Sequence, residues 1–201
     1  MSMSLFIEVY LRFFFLLTPF FVLSTFLSMT PGMADAGRRR LAVRVGTAVV
    51  AVCLVLYFFG ETIFRIFGIS LDAFRVGAGA LLFLTAVTLV RERPGEAAPA
   101  ENEDIAVVPL SIPITVGPAT TGAIMLMGAQ HGHDGWAVSL FICGALVAAS
   151  LSVAGILYMA PVTERLLKPR GIAVLSKLTG LILSAMAAEM VFTGARALLY
   201  P

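Results

Sequence analysis

The chain is short of charge. Asp, Glu, Lys and Arg make up 13% of its 201 residues, about half the share of an ordinary soluble domain. So few charges cannot coat a surface that faces water all round. Hydrophobic residues reach 59%, which places the chain among integral membrane proteins. The net charge of +2 is too small for a nucleic-acid partner, and no basic run is interleaved with aromatics outside the apolar stretches. Cysteine is scarce. Cys53 and Cys143 stand alone in two apolar runs, with no CxxC. They read as small buried apolar residues, with an intramembrane thiol-redox carrier as the weaker alternative. Only two histidines occur, and His131-Gly132-His133-Asp134 reads as a solvated turn, not a metal site. HExxH and GxGD pairs are missing, and no strand precedes the glycines to make a nucleotide loop. The chain therefore reads as a non-enzyme without metal or cofactor.

What is present is a set of long apolar runs. A spanning helix needs about 20 mostly apolar residues. Reading between charges gives six: Leu5–Met29, Ala42–Gly60, Phe74–Val90, Ile105–Gly128, Trp136–Met159 and Leu175–Leu199. The first lacks a basic leader and an A-x-A site, so it reads as a retained helix. Six spans put both termini on one side. Arg38, Arg39, Arg40, Arg44, Arg91, Arg93, Arg165, Lys168, Arg170 and Lys177 fall in or beside one set of loops. Only Arg12, Arg65, Arg75 and Arg196 fall on the other side. Positive residues stay in the cytoplasm, so both termini are expected outside. Arg38–Arg40 would also meet anionic lipid there.

Residues 93–104 read RPGEAAPAENED, a flexible acidic linker. It separates a first three-helix repeat, residues 1–92, from a second, residues 105–201. The halves look alike. Arg75, Gly77-Ala78-Gly79 and Ala86 in the third span are echoed by Lys177, Gly180 and Ala187 in the sixth. The first span is interrupted at Thr18-Pro19, and the fourth carries Pro109, Pro113 and Gly117-Pro118. With an odd number of spans per half, the second half enters the membrane from the opposite side. The expected fold is all-α: six transmembrane helices in two inverted three-helix repeats, with helices 1 and 4 broken by proline.

Several motifs carry a family resemblance over nearly the whole chain. They are Glu103-Asp104-Ile105-Ala106-Val107-Val108-Pro109-Leu110-Ser111-Ile112-Pro113 with Gly117-Pro118, Gly68-Ile69-Ser70 running into Phe74-Arg75, Arg38-Arg39-Arg40, and Lys177-Leu178-Thr179-Gly180-Leu181-Ile182-Leu183. In combination they resemble the MarC family of integral inner-membrane proteins. The resemblance implies six helices, the bacterial inner membrane, and kinship with small amino-acid exporters of the LysE type. It departs in helix 1. The family usually carries Asn-Pro-x-Gly followed by another proline, where this chain reads Thr18-Pro19-Phe20-Phe21 with Ser24. Phe21 in place of Gly would narrow a cavity at that break.

A proline inside a helix removes a donor and frees a carbonyl. In lipid, such groups must be satisfied internally or line a cavity. The substrate-binding candidates are therefore Thr18, Pro19, Thr115, Gly117, Pro118, Thr120 and Thr121. The competing reading of helix 4 is a kinked helix packed on its neighbours. Glu189 is the only charge between Lys177 and Arg196, about 18 Å and about 10 Å from them along a helix. Intramembrane acids usually face the bundle interior. Glu189 is the proton-coupling candidate, with a neutral interhelical hydrogen bond, or snorkelling towards Arg196, as alternatives. Glu8 and Arg12 are spaced for a local pair. The leading reading is a secondary transporter or exporter of small neutral solutes such as amino acids, with the bilayer as its other partner and homo-oligomerisation left open. A non-transporting scaffold or degenerate family member is the alternative.

Overall fold

The computed structural model describes residues 3–91, 115–131 and 135–200. The expected linker, Pro109, Pro113, His133 and Asp134 lie outside them. Every described element is an α-helix: α1 Met3–Leu16, α2 Pro19–Met29, α3 Asp35–Phe67, α4 Leu71–Arg91, α5 Pro118–His131, α6 Trp136–Tyr158 and α7 Ala160–Leu199. Five stretches among the described residues are long and apolar enough to cross a membrane: Phe6–Met29, Asp35–Gly60, Leu71–Arg91, Trp136–Tyr158 and Arg170–Leu199. Of the expected fourth span, only the part from Thr115 onwards is described, and α5 is its final stretch.

Two expected loops are helix instead. Arg38, Arg39, Arg40 and Arg44 lie in the first turns of α3, and α7 begins at Ala160, directly after the turn at Met159. Hydropathy marks where lipid begins, whereas helix formation depends on backbone bonding and propensity. Arg, Lys, Glu and Leu all favour helix, so the helices run on past the apolar stretch. The α2–α3 turn is closed by side chains. Thr30 Oγ1 donates to Phe26 O at 2.8 Å, and Arg38 Nη2 donates to Thr30 O at 2.9 Å. At the α3–α4 turn Gly68 takes φ 63°, which lets the Ile69 amide reach Phe64 O. Ser70 Oγ then accepts from the Ala73 amide to start α4.

The broken first span sits at the centre. Leu17, Val22, Leu23 and Phe26 are fully enclosed, with α1 packed on α6 and α2 on α7. On the outside, Phe58, Phe83, Leu140, Leu151 and Phe192 are exposed. Such a surface would aggregate in water but suits lipid.

The α4–α7 crossing is made by small residues. A methyl group placed on Gly79 would lie 2.8 Å from Val191 Cγ2, 3.0 Å from Ala187 O and 3.1 Å from Met190 Cβ. One placed on Gly180 would lie 3.0 Å from Val90 Cγ2, 2.9 Å from Ala86 O and 3.1 Å from Leu89 Cβ. Each residue of one set stands 101 positions from its counterpart in the other (79 and 180, 86 and 187, 89 and 190, 90 and 191). The helices run antiparallel, and each glycine meets the same three kinds of partner. Small residues here let backbones approach closely, the usual basis of helix association in lipid.

Candidate functional site

The sequence break at Thr18-Pro19 is a real interruption of the backbone. α1 ends at Leu16, and Thr18 adopts φ 47°, ψ 55° before Pro19 opens α2. For a β-branched residue this left-handed conformation is an outlier, held by the Thr18 amide bonding Phe15 O and the Val22 amide bonding Thr18 O, each at 3.0 Å. Thr18 is buried and makes no side-chain cap. Replacing it with glycine removes the Cβ clash that costs about 1–2 kcal/mol, against a smaller entropic cost. Thr18→Gly is expected to melt higher in detergent than Thr18→Ala, which loses the same buried contacts but keeps the Cβ; equal midpoints would show that no strain is stored there.

The interruption leaves the Leu16 carbonyl short of its helical donor, because Pro19 has no N–H and Phe20 lies beyond the bend. Thr120 supplies one: its Oγ1 donates to Leu16 O at 2.9 Å, in a buried contact between the halves. Thr120 stands in the first turn of α5, which opens at Pro118. The Gly117 carbonyl accepts the Thr121 amide at 2.8 Å. The start of α5 is thus bonded to the end of α1. Thr18, Pro19, Thr115 and Thr120 are buried, Gly117 and Thr121 half-buried, and Pro118 exposed.

Beside this junction lies a cavity of about 150 Å³ between α1, α4, α5 and α7. Leu16 forms part of its wall, so the cavity abuts the break. None of the seven break residues lines it, but Glu189 does, with Arg12, Arg75, Gln130 and Thr193. Arg12 Nη2 lies 3.8 Å from both Glu8 Oε1 and Glu189 Oε2. Arg75 Nη1 is 2.8 Å from Asp72 Oδ1. The Glu8–Arg12 pair follows the sequence expectation. The partner of Glu189 does not: it is Arg12, across the halves, not the nearby Arg196. The Glu189 side chain is 66% exposed, at the cavity's rim and not sealed in the bundle.

In the sequence, Arg12 reads as a topology marker and partner of Glu8, Arg75 as a topology marker and repeat residue, and Gln130 carries no signal. For the two arginines a usable signal was present. An acid inside a span calls for a cation at the same depth, and Arg12 and Arg75 are the basic residues at that end of neighbouring spans. Cys53 and Cys143 are buried and free, with no disulfide between them.

Comparison with known proteins gives a consistent answer. The sequence model described as "MarC family integral membrane protein" matches residues 3–199. The chain is 31% identical to the UPF0056 membrane protein YhcE of Escherichia coli, covering 92% of this chain and 91% of that one. It is also 31% identical to UPF0056 membrane protein MJ1677 of Methanocaldococcus jannaschii, covering 98% of both. To UPF0056 membrane protein YvbG of Bacillus subtilis it is 29% identical, over 96% and 95%. No solved structure matches significantly. With a family match over nearly its full length and relatives aligned end to end, the chain belongs to the MarC family of integral membrane proteins.

Proposed function

We propose that the protein is a secondary transporter that exports small neutral solutes such as amino acids, built from two inverted three-helix repeats. The observation that carries this reading is the twinned α4–α7 crossing, in which Gly79 and Gly180 meet counterpart residues 101 positions apart on antiparallel helices. An inverted repeat with broken helices meeting between its halves is a recurrent transporter plan, with the solute site at that junction. The end of α1 and the start of α5 at Pro118 meet through Leu16 and Thr120, and the charged cavity adjoins them. Other pairings follow the same exchange: α4 packs on α5 as α7 packs on α2.

The chain has no ATP-binding motif, so transport would draw on an ion or solute gradient, with Glu189 as the candidate proton carrier. The family resemblance points to the plasma membrane, and the charge asymmetry to both termini outside. Purified protein in proteoliposomes is expected to release labelled alanine or glycine faster than empty-lipid controls. Glu189→Gln is expected to change the pH dependence of that flux. Flux equal to the controls across a range of small neutral solutes would sink the reading.

A further inference from the structure

The cavity beside Leu16 carries both signs of charge. Arg12 and Arg75 bring guanidinium groups, and Glu189 brings a carboxylate. Each guanidinium already has an acid within 4 Å: Asp72 for Arg75, and Glu8 with Glu189 for Arg12. No surplus positive charge remains to draw a simple anion. The Arg12 contacts, both 3.8 Å, are far longer than a closed guanidinium–carboxylate hydrogen bond of about 2.7–2.9 Å. A guanidinium has five donors, and contacts this long leave Arg12 able to bond a ligand. A guest that enters between Arg12 and Glu189 must offer an anion to one and a cation to the other.

Size narrows the guest further. An engineered cavity of about 150 Å³ takes up benzene, a molecule of six heavy atoms. The cavity here has the same volume. Gln130 and Thr193 add neutral donors and acceptors, while Leu16 and Ala123 leave an apolar wall for a short side chain.

We infer that this cavity is a binding vestibule for a compact zwitterion, its anionic group held by Arg12 and Arg75 and its cationic group by Glu189. The inference deepens the transport reading and rests on it for the claim that the bound solute is the one moved. The 101-residue correspondence sets Thr88 against Glu189 and Ser176 against Arg75, both neutral positions among the described residues.

The test is binding to the purified full-length protein by calorimetry, with alanine, propionate and ethylamine as probes. Alanine should bind, and neither singly charged probe should displace it at the same concentration. Glu189→Gln and Arg12→Gln should each weaken alanine about tenfold or more, as for a lost charge-assisted hydrogen bond. The exchange Arg12→Glu with Glu189→Arg restores one charge of each sign and should recover part of the loss, which separates a binding role from a folding defect. Propionate binding as tightly as alanine, or wild-type affinity in Glu189→Gln, overturns the inference. Alanine flux with an unchanged KM in both single variants also overturns it, while leaving transport standing. Alanine binding that is lost in both variants, in a protein that moves no solute, keeps the vestibule and removes the transport reading.

Discussion

Gly128→Ala is expected to leave little folded protein in the membrane. Gly128 lies where α5 crosses α3, and a Cβ there would fall onto the backbone carbonyl oxygen of Tyr57. A flexible side chain could swing away, but a backbone carbonyl inside a helix cannot. The two helices would have to separate. Gly60 sits on the same crossing, where a Cβ would lie 2.7 Å from Met125 Cα, so the displacement would spread along the interface. Overpacking a tight contact costs about 1–3 kcal/mol and sometimes more; a backbone clash belongs at or above the upper end. The control is Gly144→Ala. Nothing lies within 4 Å of a Cβ at Gly144, and alanine favours helix over glycine by about 1 kcal/mol. Size-exclusion profiles and thermal melts in one detergent should show Gly128→Ala aggregated or strongly destabilised and Gly144→Ala unchanged or better. Equal behaviour of the two would mean that the α3–α5 contact is not as close as described.

Thr120→Val should lower stability by about 1–2 kcal/mol, although the two side chains have nearly the same shape. The loss is the bond from Thr120 Oγ1 to Leu16 O. Interhelical hydrogen bonds between side chains in membranes are often worth only about 0.6 kcal/mol, because the separated helices find other partners. The Leu16 carbonyl differs, since the bend at Thr18 has taken away its helical donor. Leaving a buried acceptor unmade costs about 1–3 kcal/mol. Thr120→Ser keeps the hydroxyl and should retain most of the stability. If Val is as stable as Ser, the Leu16 carbonyl has another donor and the junction between the breaks is not held by Thr120.

The helical, membrane-embedded class was legible because apolar runs of spanning length leave little else. The break at Pro19 was legible for a covalent reason: proline cannot donate, wherever it sits. Its strain was not, since residue type alone does not reveal that Thr18 has φ 47°. Helix ends were misjudged wherever helices outrun the lipid, as at Arg38–Arg44 and after Ala160. The charged cavity was half legible. Glu189 stood out by its isolation, but its pairing with Arg12 joins residues from opposite ends of the chain. Such a contact depends on how the halves dock, which no local pattern encodes.

The twinned crossing of α4 and α7 bears on energy as well as architecture. Contacts at Gly79 and Gly180 are closely matched, so in the proposed cycle an exchange of shapes between the halves changes that seam's energy little. If the protein alternates between inward-open and outward-open forms as proposed, the free energy between them comes from positions whose counterparts differ. Glu189 against Thr88 is one such pair, and Arg75 against Ser176 is another. Substitutions at these unmatched positions would tilt the resting population, whereas equal changes at both glycines would loosen the seam without favouring either state.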